Sequence, residues 1–160
     1  MAGGRMEYRV LGRTGLLVSA LAFGASALGA ADGDAGRDRT SRALVDACLA
    51  AGITLFDTAD TYQQGRSEEV LGRSLAGHRD DVLIATKLHA RTGGGPNDLG
   101  QSRHHILRAC EASLRRLNTS WIDLYQVHGF DALTDPEESL GALAVTDQTG
   151  PGVTVMSGPT

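Results

Sequence analysis

Apolar residues recur along this chain at two spacings, one typical of strands and the other of helices. A short run with apolar residues at every second position predicts a strand, and recurrence every three or four residues predicts an amphipathic helix. The predicted strands span residues 20–25, 53–57, 81–87 and 121–128. The predicted helices span residues 40–51 and 67–76, with two more beginning after Ser102 and near Pro136. A hairpin over residues 7–19, turning at Arg13-Thr14-Gly15, precedes them.

Polar residues with capping preferences mark the predicted starts of three helices. Ser67 is expected to cap the second helix, and Glu68 lies favourably at the positive end of its dipole. Ser102 is expected to cap the third helix. Thr134 and Glu137 have the spacing of a capping box, so they are expected to open the fourth.

The alternation of strands and helices defines the fold class as α/β. Such an order predicts βαβ units with right-handed crossovers and a parallel sheet. Two architectures fit this order, a doubly wound open sheet and a (β/α)₈ barrel of the TIM type. A dinucleotide-binding open sheet favours Gly-x-Gly-x-x-Gly after its first strand. Residues 24–29 read GASALG, which lacks the second glycine, but open sheets without this motif are common.

Ionisable side chains end three consecutive predicted strands on the same face. Side chains alternate between the two faces of a strand. On each of these strands one face is mostly apolar, and its last residue at the carboxyl end is Asp57, Lys87 or His128. Tyr62 follows Asp57 by five residues and can lean over the same rim. Both architectures build their ligand sites at the carboxyl ends of strands. The sequence therefore predicts one site that contains these four side chains.

Together these four residues suit proton transfer to a carbonyl oxygen. A free tyrosine hydroxyl has a pKa near ~10, which a neighbouring ammonium lowers by favouring the phenolate. A carboxylate holds the ammonium in place, and a histidine can orient the carbonyl. Since no side chain donates hydride, a carbonyl reductase built on this site needs a nicotinamide cofactor.

Several ordered motifs resemble the aldo-keto reductase family. They are FDTADTY at 56–62, GRSEE at 65–69, LIATK at 83–87, YQVH at 125–128 with Asp131, and LGRTGL at 11–16 followed by Gly24. The match covers residues 7–144, nearly the whole chain. One local departure is Gln63-Gln64, where the family usually has glycine directly after the tyrosine.

The resemblance implies a (β/α)₈ barrel with a hairpin across its bottom. It also implies reduction of aldehydes or ketones by NADPH, with NAD as the alternative cofactor. Tyr62 would be the general acid, Lys87 would lower its pKa, Asp57 would pair with Lys87, and His128 would orient the substrate carbonyl. Gly24 and Asp57 would line the nicotinamide end of the cofactor site.

The length of the chain differs from that of a complete barrel. A TIM barrel takes about 250 residues, whereas 160 residues accommodate only the first four βα units and the hairpin. We therefore expect a disordered tail at 1–6, a partial, truncated barrel at 7–144, and an atypical tail at 145–160. The tail is rich in Gly, Pro and Thr and lacks Lys and Arg, which suggests out-of-frame coding.

A partial barrel would leave its first and fourth strands as open edges and expose inward residues such as Leu55, Leu83 and Leu124. We expect such a chain to be inactive alone and unstable, or to self-associate through its edges. The alternative function is a non-catalytic fragment that acts as an interaction or regulatory module.

Composition excludes several other classes of function. A net charge of −4 without a clustered basic face argues against nucleic-acid binding, and no apolar run predicts a membrane span or a secretory segment. Cys48 and Cys110 lack CxxC spacing and are expected to be reduced, as in a cytoplasmic protein. No metal site is expected, because His104 and His105 lack partners with ligand spacing and suit a solvated helix face.

Overall fold

A hairpin closes the amino-terminal end of the sheet in the computed structural model, which describes residues 5–30, 35–146 and 154–155. Its strands β1 (Tyr8–Val10) and β2 (Leu17–Ser19) pair antiparallel. The Tyr8 hydroxyl donates to the Gly52 carbonyl oxygen at 2.9 Å. Ser19 Oγ accepts from the Thr54 amide at 3.0 Å, just before the next strand. The predicted hairpin across the bottom of the sheet is therefore confirmed.

Five parallel strands form the sheet. They are β3 (Ala22–Gly24), β4 (Leu55–Asp57), β5 (Leu83–Leu88), β6 (Leu124–Val127) and β7 (Thr154–Val155). Their spatial order follows their order in the chain. In a doubly wound sheet the order reverses at a switch point, so the sequential order identifies a barrel-type sheet.

Four helices connect these strands. They are α1 (Ala35–Ala50), α2 (Arg66–Ser74), α3 (Arg103–Leu117) and α4 (Pro136–Thr146). Each helix packs against the next one in the chain. Short 3₁₀ turns at Tyr62–Gly65 and Arg79–Asp81 precede α2 and β5. The helices therefore cover one face of the sheet, as in the outer layer of a barrel.

The core lies between the sheet and this helical layer. Phe56, Ile84 and Tyr125, one from each of three neighbouring strands, are fully buried against the helices. On the opposite face Leu55 and Leu83 are partly exposed, as predicted for inward residues of a partial barrel. Leu124 is only 4% exposed, so the prediction of exposure is wrong there.

Two of the three predicted helix caps are wrong. Ser102 does cap α3, because its Oγ accepts from the His105 amide at 3.3 Å. Gly65, in a left-handed conformation, is the N-cap of α2, and Ser67 donates instead to the Ala25 carbonyl oxygen at 2.6 Å. At α4 the carboxylate of Asp135 accepts from the Glu137 amide at 2.8 Å. The hydroxyl of Thr134 donates to Asp131.

The ends of the described chain modify the predicted domain plan. Helix α1 begins five residues before the predicted start, because part of the expected loop is helical. β7 pairs parallel with β6, so the fourth barrel strand is not an edge in the described part of the chain. Residues 1–4, 31–34, 147–153 and 156–160 lie outside the described residues. The proposed tails at 1–6 and 145–160 therefore stay predictions.

Candidate active site

The ion pair of Asp57 and Lys87 lies at the carboxyl end of the sheet. Lys87 Nζ donates to both carboxylate oxygens of Asp57 at 2.6 Å and to the Thr58 carbonyl oxygen at 2.8 Å. These three bonds use all three donors of the ammonium. The Lys87 side chain is only 15% exposed, against 35% for Asp57. The charge of Lys87 is therefore fixed in position and partly shielded from water.

Tyr62 and His128 complete the group of four that the sequence predicted. Their rings meet edge to face, with centroids 5.5 Å apart and an interplanar angle of 79°. Lys87 Nζ lies 5.4 Å from the centroid of the Tyr62 ring. The His128 amide donates to the Leu88 carbonyl oxygen at 2.8 Å, which holds the residue beside the end of β5. The structure thus places all four predicted side chains at one rim.

The environment of His128 favours the neutral form of its imidazole. Partial burial lowers the pKa of its imidazole, and the positive charge of Lys87 lowers it further, although Asp57 opposes the shift. A neutral imidazole carries one N–H donor and one acceptor. His128 can therefore donate a hydrogen bond to a carbonyl oxygen without bringing a second cation beside Lys87.

Three consecutive residues after Tyr62 have left-handed backbone conformations. Gln63, Gln64 and Gly65 have φ values of 51°, 58° and 89°. A residue other than glycine is destabilised by roughly 1–2 kcal/mol in the left-handed conformation, because its Cβ approaches the backbone. This conformation explains why glycine is favoured after the tyrosine in the motif that this sequence resembles. The Gln63 side chain donates to the Ser26 carbonyl oxygen at 3.0 Å, which helps to hold the strained turn.

We expect Gln64→Gly to stabilise the protein by about 0.5–1 kcal/mol. Glycine removes the left-handed strain, while its greater freedom in the unfolded chain offsets part of the gain. Urea unfolding followed by circular dichroism measures the difference. The matched control is Gln64→Ala, which removes the same exposed side chain and keeps the strain. Equal stability of the two variants would show that the backbone at this position carries no strain.

Gly24 lies next to Asp57 on the neighbouring strand, in register with it. A Cβ at this position would meet no atom within 4 Å, so open space lies above the backbone. A flat ring could therefore approach the end of β3 closely. The space above Gly24, next to the part-exposed carboxylate of Asp57, is open enough for the nicotinamide ring of a cofactor.

The sequence prediction missed a buried ionic cluster behind the rim. Glu68 was interpreted only as a residue that suits the positive end of α2, but its side chain is fully buried and accepts from Arg116 Nε at 2.6 Å. It also accepts from Thr86 Oγ1 at 2.6 Å. The spacing of Glu68, Leu71 and Leu75 places the glutamate on the apolar face of α2, and this spacing could have revealed its burial.

Asp60 is a second buried carboxyl group in this cluster. It is 3% exposed, and neither side-chain oxygen has a hydrogen-bond partner among the described residues. Burial and the charge of Glu68 raise its pKa to about 7, although Arg116 offsets part of the effect. The Asp60 amide donates to the Lys87 carbonyl oxygen at 3.0 Å, so this group lies directly beside the rim.

One property of the sequence singles out Lys87 more sharply than strand parity does. It is the only lysine in the chain, where the other fourteen of the fifteen basic Lys and Arg residues are arginine. Arginine can replace lysine at most surface positions, but its planar guanidinium cannot mimic a compact ammonium that points at one carboxylate. The residue composition by itself could therefore have marked this position.

The comparison with protein families is decisive. The model of the Aldo/keto reductase family matches residues 20–151. The chain belongs to this family. The match includes Gly24 and all four site residues, which are Asp57, Tyr62, Lys87 and His128.

Related proteins cover a wide range of described roles. The chain is 41% identical over 141 residues to a probable voltage-gated potassium channel subunit beta of Oryza sativa subsp. japonica, covering 86% of this chain and 42% of that protein. It is 35% identical to L-glyceraldehyde 3-phosphate reductase of Escherichia coli (strain K12), covering 92% of this chain and 43% of that protein. The chain spans about half the length of the relatives that it matches.

A solved structure matches both the fold and the sequence. The holo form of aldo-keto reductase AKR11C1 from Bacillus halodurans superimposes with a TM-score of 0.80 and 36% sequence identity. The superposition covers 94% of this chain and 51% of that one. This likeness confirms the TIM-barrel type of the fold.

The described residues contain neither a candidate metal site nor a candidate membrane-spanning helix. Within the described residues, no group of three His, Cys, Asp or Glu side chains could hold a metal ion. His105 is 4% exposed, so the expectation of a solvated face is wrong for this residue. No helix in the described part of the chain is long and apolar enough to cross a membrane.

Proposed function

We propose that this chain carries the proton-transfer site of an NAD(P)H-dependent reductase that converts aldehydes or ketones to alcohols. The observation that carries the proposal is the Lys87 ammonium, bound to Asp57 and lying 5.4 Å from the Tyr62 ring. Family membership supports an oxidoreductase of this kind. The substrate is proposed only as a small carbonyl compound.

Tyr62 acts as the general acid in this proposal. As a carbonyl oxygen gains negative charge, the Tyr62 hydroxyl gives up its proton, and the nearby ammonium stabilises the phenolate that remains. Asp57 keeps that ammonium in place with two hydrogen bonds. Because Lys87 has no donor left over, it acts on Tyr62 through its electric field.

His128 orients the substrate in this proposal. Its ring meets the Tyr62 ring in a T-shaped arrangement, and we infer that an oxygen that accepts from Tyr62 can also accept from the imidazole N–H. The neutral state of the imidazole makes it a donor that does not compete with Tyr62 as an acid. Two donors then converge on the same carbonyl oxygen, which polarises the carbonyl carbon.

The nicotinamide cofactor supplies the hydride when it is bound. Gly24 and Asp57 would hold its nicotinamide end, since the open backbone at Gly24 gives a flat ring access beside the carboxylate. The similar protein from Bacillus halodurans is described as a holo form, which supports the binding of a cofactor by this fold. NADP is favoured over NAD by the resemblance to the family.

The second candidate function is an interaction or regulatory module. The observation that favours it is the rice relative, which is described as a channel subunit beta and is 41% identical to this chain. The two candidates differ in one measurable property. A reductase loses carbonyl reduction when Tyr62 loses its hydroxyl, whereas binding by a module does not depend on that hydroxyl.

We expect NADPH to bind saturably where self-association of the chain completes the cofactor site, and Gly24→Ala to weaken this binding about tenfold, or ~1.4 kcal/mol. The added methyl group meets no protein atom, so it occupies only the space proposed for the nicotinamide. Quenching of Trp121 fluorescence or enhancement of NADPH fluorescence follows the titration. Gly15→Ala in the hairpin is the matched control, because a Cβ there also meets no atom within 4 Å.

Each outcome of this titration decides something. Saturable binding that weakens only in Gly24→Ala supports the cofactor site. Equal binding by Gly24→Ala and the wild type contradicts the assigned position of the nicotinamide. No binding by any form favours the interaction module over the reductase.

We propose a cytoplasmic location from the state of the cysteines, and self-association from the edge of the sheet. Cys48 and Cys110 are free thiols, which a reducing cytoplasm preserves. Strand β3 is an edge of the described sheet, and we propose that self-association through such an edge protects it. Light scattering of the purified chain tests this, since a monodisperse monomer would contradict it.

A further inference from the structure

A buried ion pair lies directly behind the rim that carries the four site residues. Glu68 of α2 is fully buried, and its Oε2 accepts from Arg116 Nε of α3 at 2.6 Å. Arg116 also donates to Ser113 Oγ at 3.2 Å. Together with burial, the negative charge of Glu68 helps to raise the pKa of three neighbouring groups, Asp60, Cys110 and Tyr125. Among the described residues, Arg116 is the cation that forms a salt bridge with Glu68.

The other oxygen of Glu68 connects the pair to strand β5. Glu68 Oε1 accepts from Thr86 Oγ1 at 2.6 Å, and Thr86 is fully buried. Thr86 immediately precedes Lys87. Because side chains alternate along a strand, Thr86 points to the helices while Lys87 points to the rim. A bond that fixes one of these residues therefore restrains the backbone of the other.

Arg116 connects the same pair to the turn after Tyr62. A Cβ on Gly65 would lie 2.8 Å from Arg116 Cδ, so the arginine packs tightly over this glycine. Gly65 follows Tyr62 by three residues and is the N-cap of α2. One ion pair therefore contacts the chain next to Lys87 and also the turn that holds Tyr62.

Stability alone is a poor explanation for this pair. Burying two charges costs several kcal/mol per ion, and well-packed apolar residues in their place are often equally stable or more so. A buried carboxylate does have one advantage over apolar residues. It accepts directed hydrogen bonds at fixed positions from two elements at once.

We propose that Glu68 is a positioning residue for Lys87. Its carboxylate, fixed by Arg116, holds the Thr86 hydroxyl and so keeps the carboxyl end of β5 where the ammonium reaches Asp57 and Thr58. The catalytic meaning of this position rests on the proposed function. The positioning itself does not, and it can be measured without any substrate or cofactor.

The test uses the fact that Lys87 is the only lysine. Acetic anhydride then modifies one side-chain amine, and peptide mass spectrometry separates this product from the acetylated amino terminus. Thr86→Val removes the hydroxyl at nearly constant shape, and Thr86→Ser retains it. Asp57→Asn serves as the reference for a Lys87 that has lost its carboxylate partner.

We expect Lys87 acetylation about tenfold faster in Thr86→Val, and within about twofold of the wild type in Thr86→Ser. Loss of a hydrogen bond to a charged group weakens the restraint on β5, and an effect of the usual size raises the population of the released lysine by about tenfold. In a form that reduces carbonyls, Thr86→Val should lower kcat with KM unchanged, and Thr86→Ser should restore it.

A folded Thr86→Val with the Lys87 reactivity of the wild type would overturn the proposal. If Thr86→Val does not fold, as judged by Trp121 fluorescence, then Thr86→Cys is measured, since its thiol is a weak donor of similar size. A wild-type rate in that variant would also overturn it. If no form reduces carbonyls but the reactivity pattern holds, the proposed function fails while the role of Glu68 is supported.

Discussion

Replacement of Tyr62 by phenylalanine is expected to lower kcat for carbonyl reduction by about 10²–10⁴-fold. The change removes only the hydroxyl, so the ring contact with His128 and the site around Lys87 are retained. Without this proton donor, negative charge on the carbonyl oxygen is stabilised only by the N–H of His128. The loss of NADPH absorbance in the presence of a panel of small aldehydes and ketones measures the rate.

Tyr8→Phe is the matched control for this prediction. It also removes one tyrosine hydroxyl, which donates to the Gly52 carbonyl oxygen at the opposite end of the sheet. We expect it to cost about 1 kcal/mol of stability and to leave kcat unchanged. A Tyr62→Phe variant that keeps the wild-type rate would contradict the assignment of the general acid. NADPH binding without turnover in the wild type would favour the module.

The wild type is expected to lose stability as the pH rises from about 4 to about 7, because in this range Asp60 is ionised in the unfolded state but not in the folded one. Asp60→Asn has no group to ionise there, so it should not show this loss. The folded pKa of Asp60 is about 7 because of burial and Glu68, while the ordinary value is 3.8. In this window the folded state holds a proton that the unfolded state has released. Stability therefore falls as pH rises, by about 1.4 kcal/mol per pH unit.

Urea unfolding from pH 5 to pH 8 measures this effect. Between pH 5 and pH 7 the wild type should lose about 2 kcal/mol relative to Asp60→Asn, and the relative change should level off by about pH 8, where Asp60 is ionised in both states. Burial lowers the pKa of His105, which destabilises both forms alike at acid pH and cancels in the difference. The exposed Asp46→Asn serves as control, and a pH-independent difference for Asp60→Asn would show that Asp60 is ionised throughout.

The sequence alone was sufficient to predict the order of β3 to β6 with the four helices, and to predict which four side chains meet at the rim. Alternation of apolar residues located β4, β5 and β6, and it placed Asp57, Lys87 and His128 on one face at the strand ends. These are local properties, because side-chain direction along a strand is set by covalent geometry. The register between strands then brought the residues together, since Leu55 pairs with Leu83 and Ala85 with Leu124.

Sequence patterns were less reliable at helix ends. Ser67 and Asp135 both have side chains that can cap a helix, and only Asp135 does so. Ser67 instead donates to the Ala25 carbonyl oxygen. Its hydroxyl also forms a hydrogen bond with the Thr58 hydroxyl, at an oxygen–oxygen distance of 2.9 Å. A serine in the first turn can serve either purpose. The choice depends on which long-range partner lies within reach, and a local pattern does not contain that information.

The tertiary structure alone determined which charges are buried. Glu68 and Glu69 are adjacent and chemically identical, but α2 packs so that Glu68 faces Thr86 and Arg116 while Glu69 faces solvent. The raised pKa of Asp60 has the same origin, because it depends on burial by neighbouring elements and on the charge of Glu68 in α2. Local sequence thus determined which residues reach the rim. Packing between α2, α3 and β5 determined the electrostatic environment behind it, because that environment arises from contacts between residues far apart in the chain.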